Sequence, residues 1–169
     1  MIELSEYFEY DPSSPSGLIW AKVPGKHRTI RIGDNVGCLM ENGKWHTKLM
    51  GKQIYCHRIV WWLHGFCIPE GMWIDHKDRN PSNNKIDNLR LATKSQNCAN
   101  SKLPKDNKSG FKGVRFRGKY KKWVAEYHSS GKKKHIGNFD CPVMAAEAYD
   151  RMAIKEFGEF ANPNFPLVD

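Results

Sequence analysis

Short runs of alternating apolar and polar residues fill the first third of the chain. LIWAKV from Leu18, TIRIG from Thr29, KWHTKL from Lys44 and QIYCH from Gln53 are rich in β-branched, aromatic and aliphatic positions, as strands of a half-buried sheet are. Turn formers such as Gly33-Asp34 and Asn42-Gly43 separate them, so Ser16 to Tyr55 predicts a small antiparallel meander. The period then changes. In HRIVWWLHG, starting at His57, Ile59, Val60, Trp62 and Leu63 fit one side of a short helix, and Gly65 is placed to end it. GMWIDH returns to a strand, KDRNPSNNKIDN is a polar, turn-rich loop, and LRLAT is a second strand. Thr93 followed three residues later by Gln96 matches a capping box, so KSQNCANS begins a helix with Asn97 in its first turn and Asn100 at i+3.

SKLPKDNKSG then reads as a linker, because Pro, Gly, Asn and Lys replace any apolar period. Beyond it, three β-prone runs lie around Phe111 to Arg117, Trp123 to His128 and Lys133 to Phe139. Period two puts Arg115 and Arg117 opposite Val114 and Phe116, and Trp123, Ala125 and Tyr127 opposite Val124, Glu126 and His128. A helix follows, with Pro142 in its first turn, Asp140 as a candidate cap and Gly158 as its stop. Its apolar stripe is Ala145, Ala146, Tyr149, Ala153 and Phe157. Covering the apolar face of the sheet with this helix leaves Arg115, Arg117, Glu126, His128, Lys133 and His135 on an open face able to enter a DNA groove. The fold class is α+β. A β-meander (1–54) precedes a strand-loop-strand-helix module (55–101), a linker (102–110) and a three-stranded antiparallel sheet packed on one helix (111–169).

Charge sharpens this division. The net charge of the 169-residue chain is +9, and Lys102 to His135 alone holds twelve Lys or Arg against Asp106 and Glu126. The remainder is close to neutral, so the basic excess is one window interleaved with aromatics, the footprint of a nucleic-acid binder. No run of 18 apolar residues occurs, and MIELSEYFEYD lacks the basic start and apolar stretch of a signal peptide, so a soluble cytoplasmic protein with no membrane partner is expected. Five scattered cysteines, none in a C-x-x-C pair, predict reduced thiols and neither a disulfide framework nor a structural zinc.

The strand-loop-strand-helix order also concentrates chemistry. Asp75 at the end of the first strand and Asn97 on the helix can approach to hold one hard divalent cation through oxygen, and magnesium and manganese are not distinguished by such ligands. His76, on the opposite strand face, can take a proton from water when neutral, and Asn88 can fix the loop and the histidine by hydrogen bonds. His57 reads as a satisfied core histidine.

The stretch IDHKDRNPSNNKIDNLRLATKSQN resembles the HNH motif of ββα-metal homing endonucleases, in the variant whose last histidine is asparagine. HRIVWWLHGFCIPEG resembles that family's lead-in, and the likeness covers about Tyr55 to Asn100. It implies that His76 is the general base, that Asp75 and Asn97 are ligands of one Mg2+ or Mn2+ per active site, and that Asn88 holds the loop and orients the histidine. Arg79 stands where the motif carries glycine, which raises a backbone question if that position needs positive φ and equally places a cation near DNA.

FKGVRFRGKYKKWVAEY and HIGNFDCPVMAAEAYDRMAIKEFGEFANPNFP resemble the AP2/ERF DNA-binding domain over about Ser109 to Pro166. Arg115 and Arg117 match arginines that contact DNA, and Glu126 matches a glutamate on the same face. His128, Lys133 and His135 depart from the arginine or tryptophan of the plant pattern, implying a different sequence read. Arginine can bond both acceptors of guanine whereas lysine mostly meets phosphate, so base reading is expected from Arg115 and Arg117. Lys112 and Arg79 complete the expected DNA-binding set.

Together the two likenesses imply a freestanding homing-type, phage-encoded endonuclease. It would nick or cut double-stranded DNA in the host cytoplasm, as a monomer or with two chains cooperating. A DNA-binding transcriptional regulator with an inactive nuclease module is the alternative. The role of the meander stays open between DNA contacts and packing.

Overall fold

The amphipathic runs near the start form two small sheets rather than one meander. The computed structural model describes residues 3–25 and 29–166, so the extreme ends of the first and last predicted segments, and the stretch before TIRIG, lie outside the described residues. β1 (Phe8–Tyr10) pairs antiparallel with β2 (Leu18–Trp20), with Phe8 opposite Trp20. β3 (Cys38–Leu39), β4 (Trp45–Leu49) and β5 (Lys52–Tyr55) make a second sheet in that order. β1 lies within the predicted 1–54 segment but before its first run read as a strand, because FEY is too short to show a period. TIRIG fails as a strand. Arg31 N–H donates to the Asp34 carboxylate at 2.7 Å and Asp34 N–H returns to Arg31 O at 3.1 Å, so the segment bends and Ile32 is left exposed.

Helix α1 (Cys56–Leu63) stops with Gly65 at φ +78, as its sequence predicts. Its buried side is Cys56, Ile59, Val60 and Trp61, one position away from the expected Trp62. The reason is polar: the Trp61 indole N–H donates to Cys67 O at 3.0 Å, whereas Trp62 lies partly open beneath the Arg58 guanidinium at 5.3 Å. β6 (Met72–His76) pairs with β7 (Leu89–Thr93) in a two-stranded sheet. Residues Met1–Leu91 form one compact unit. Its core joins Phe8, Leu18, Val36, Leu49, Ile59, Val60 and Leu89, each apolar side chain contributing about 1.5–3 kcal/mol when fully buried.

The second unit, Ala92–Asp169, starts within β7 and continues into α2 (Lys94–Asn100). The capping box is present: Gln96 N–H donates to Thr93 Oγ1 at 3.2 Å and Thr93 N–H to Gln96 Oε1 at 2.8 Å. β8 (Val114–Arg117), β9 (Lys122–Ser129) and β10 (Lys132–Phe139) form an antiparallel sheet of order β10-β9-β8, followed by α3 (Pro142–Phe157). The predicted stripe Ala145, Ala146, Tyr149, Ala153 and Phe157 is buried against Val114, Ala125 and Tyr127. Asp140 does not cap α3. The N-cap is Cys141, without a side-chain bond, and the Asp140 carboxylate pairs with Lys122 Nζ instead. At the end of the predicted linker, Asn107 Oδ1 accepts from the Ser109 and Gly110 N–H groups at 2.9 and 2.8 Å, a hydrogen-bonded turn leading into β8. Among the described residues no helix is long and apolar enough to cross a membrane.

Candidate active site and DNA-facing sheet

β6 delivers Asp75 and His76 to opposite faces of its strand, and both are buried, at 5 % and 7 % exposure. The Asp75 carboxylate accepts a hydrogen bond from Arg90 Nε on neighbouring β7 at 3.0 Å, which fixes its rotation. Burial pushes the His76 imidazole below its ordinary value against the opposing pull of the Asn84 hydrogen bond and the Asp78 and Asp75 charges. Burial thus favours the uncharged ring, the form a proton acceptor needs. Around it, His57 stands edge-on at 5.3 Å and Tyr55 stacks on His57 at 5.5 Å. Burial, with His76, Lys44 and Arg58 nearby, pushes His57 down to about 3, so it adds no charge. The predicted structural role of His57 fits this wall, although its buried Nδ1 makes no hydrogen bond.

The asparagine-crowded loop is organised around Asp78, a residue absent from the sequence-predicted site. Its carboxylate accepts from Asn80 N–H at 2.8 Å, Asn83 Nδ2 at 2.7 Å and Asn88 Nδ2 at 3.0 Å. Burial raises the Asp78 carboxyl, but these donors outweigh it and hold the group below the usual carboxylate range. Asn88 returns its Oδ1 to Asp78 N–H at 3.0 Å and gives Nδ2 also to Asn83 O at 2.8 Å. Asn88 thus bonds across the loop, while the amide that meets His76 is that of Asn84, at 3.0 Å from Nε2. Asp-x-Asn and Ser-Asn-Asn in KDRNPSNN are the local signal for the turn network. Arg79 in this loop has φ +61, the left-handed conformation that glycine supplies at the matching position of the motif. Asn97 lies half-buried on α2 in the second unit.

On the sheet, register decides which charges share a face. Arg115 is opposite Val124, His135 opposite Glu126 and Lys133 opposite His128, so Arg115, Arg117, Glu126, His128, Lys133 and His135 lie on the face away from α3. Glu126 joins them: Arg115 Nε donates to it at 2.7 Å and Lys133 Nζ lies at 2.6 Å. Burial works to raise this carboxyl, yet the two cations hold it below its ordinary value. Glu126 therefore orients Arg115 across the strands. Lys112, expected to meet DNA, is placed otherwise. Its ammonium donates to Ser101 O at 2.7 Å and to Ala99 O, carbonyls at the end of α2 whose helical partners have run out.

A buried histidine on a strand-loop-strand frame is thus followed in the chain by a separate basic sheet covered by one helix. The HNH endonuclease family matches residues 54–99 and the AP2 domain matches residues 109–159. Protein 3.8 of Escherichia phage T7 is 37% identical over 105 residues, 62% of this chain and 86% of that protein. An uncharacterized HNH endonuclease of Acanthamoeba polyphaga mimivirus is 40% identical over 97 residues, 57% of this chain and 49% of its own length. APETALA2-like protein 2 of Oryza sativa subsp. japonica is 39% identical over 66 residues, 39% of this chain. The chain spans about half of the mimivirus protein and 15% of the plant one. No solved structure matches it. The chain belongs to the HNH endonuclease family and carries an AP2 DNA-binding domain.

Proposed function

We propose that this protein is an active, metal-dependent endonuclease of the homing type, phage-encoded, that hydrolyses a phosphodiester bond of double-stranded DNA at a site chosen by its AP2 sheet. The single observation that carries the reading is His76, buried beside Asp75 at the end of β6, where burial favours its uncharged form. His76 takes the proton of a water attacking in line with the leaving 3′ oxygen. Asp75 and Asn97 would hold the divalent ion, magnesium or manganese; a carboxylate and an amide oxygen are hard donors that suit it, and the Arg90 bond keeps the carboxylate in one orientation. Such an ion, when bound, neutralises charge developing on the phosphate. Asn88 ties the loop, and Arg115 and Arg117 read bases while His128, Lys133, His135 and Arg79 attract the backbone. Residues 55–101 form the nuclease module and 111–169 the site-choosing module.

The test is a time course on supercoiled DNA with magnesium, comparing the native protein, a chelated control, His76→Ala and Asn97→Ala. We expect magnesium-dependent relaxed or linear product from the native chain alone, with gel-shift affinity kept by both variants. Cleavage by His76→Ala at the native rate would remove it as the base. A native protein that shifts its DNA site but never cuts it would favour the regulator reading.

A further inference from the structure

Asn84 is the most enclosed polar side chain of the loop, at 2 % exposure, and it has contacts on two sides. Its Nδ2 donates to Ser16 O at 2.9 Å, a carbonyl 68 residues earlier in the chain, and its Oδ1 faces His76 Nε2 at 3.0 Å. The orientation of this amide is decided by chemistry. A carbonyl can only accept, so the group facing Ser16 must be the NH2, and the group facing His76 must be the oxygen. An amide oxygen can only accept as well, so Nε2 must carry the proton. In a neutral imidazole the lone pair then resides on Nδ1.

The Ser16 end is itself held. Ser16 is fully buried, its hydroxyl donates to Leu18 O at 3.3 Å, and Ser14 Oγ donates to the same carbonyl at 2.7 Å. Gly17 follows at φ +78, and a methyl there would meet Asn84 Cβ at 3.2 Å and Asn84 O at 3.3 Å. The turn between β1 and β2 thus packs directly on Asn84.

We infer that Asn84, anchored by the Ser16 carbonyl, is a positioning residue that holds His76 in the tautomer with its proton on Nε2, making Nδ1 the atom that accepts the proton from water. The N-terminal hairpin is on this account part of the catalytic machinery, two bonds removed from the base. The inference rests on the nuclease reading for its consequence, but the tautomer itself can be read without any cleavage.

The experiment is ring ¹⁵N NMR of the full chain, with His76 assigned by comparison with His76→Ala, alongside steady-state cleavage of the native protein, Asn84→Ala and Gly17→Ala. Native His76 should show a protonated Nε2 and an unprotonated Nδ1. Asn84→Ala should lose that preference and reduce kcat by roughly 10- to 100-fold, a share of the about 10²–10⁴ that a general base supplies, with KM for DNA little changed. Gly17→Ala should disturb the same resonances from the other side of the contact. A native ring protonated on Nδ1 overturns the inference whether or not any variant folds, as does Asn84→Ala with native tautomer and kcat. A native protein with the Nε2 proton in place that never cleaves DNA would overturn the nuclease reading instead, and with it the catalytic role, while the tautomer assignment stands.

Discussion

Arg79 shows how one residue can serve two demands that conflict. Its φ of +61 lies where a side chain costs roughly 1–2 kcal/mol over glycine, and the turn is closed by Arg79 N–H to His76 O at 2.9 Å. Glycine would relieve that strain but would enlarge the freedom of the unfolded chain, at about 0.5–1 kcal/mol. Arg79→Gly should therefore stabilise the protein by up to about 1 kcal/mol, read as a higher urea midpoint at unchanged slope. If the arginine is retained to meet DNA, the same variant should bind DNA more weakly and with a salt slope shallower by about one. Undiminished affinity would mean that the cation does not contact a phosphate. The motif position was legible as a backbone anomaly because glycine there is informative; the left-handed turn itself is fixed by the Arg79 N–H bond to His76 O, which no local pattern encodes.

At the level of elements, what could be read was what is local. The strands of GMWIDH and LRLAT follow a short period, and the Thr93-Gln96 capping box is complete within four residues. What escaped depends on partners outside the run being read: Asn84 is explained only by Ser16, 68 residues earlier, Trp61 by Cys67 O beyond the end of its helix, and the failure of TIRIG by the Asp34 carboxylate just past it. The Gly-Val-Arg start of β8 belongs to both kinds. A methyl on Gly113 would lie 2.0 Å from Tyr149 Cδ2 and 2.2 Å from Cε2, and the residue has φ +73. Helix α3 thus presses a ring onto the backbone leading into the strand, and only glycine leaves room. Gly113→Ala should cost about 2–5 kcal/mol, summing overpacking with left-handed strain, and should abolish the gel shift as the sheet loses its helix. A thermal midpoint within a degree of the native one would show that Tyr149 can swing away at no cost.

For the molecule as a whole, the uneven charge and the two compact units make a division of labour testable. Residues Lys102 to His135 carry twelve cations and two acids, all within the second unit, whereas His76 and Asp75 lie in the first. Attraction to phosphate is spread over many lysines, so removing two arginines leaves most of it; reading of bases is concentrated in Arg115 and Arg117, so removing them should take most of that. Replacing both with alanine should therefore lower the ratio of specific to non-specific affinity by at least about tenfold, because each bidentate arginine–guanine pair discriminates by about 1–3 kcal/mol. Slow nicking of unrelated DNA should continue at close to the native rate, because His76 is untouched. Glu126 adds a control. It holds Arg115 at 2.7 Å, so Glu126→Gln should loosen the arginine and degrade site preference less than the double variant, while adding net positive charge and strengthening non-specific binding. A salt slope that falls by about two in the double variant, with site preference intact, would show that the two arginines meet phosphates and that sequence is read elsewhere on the sheet.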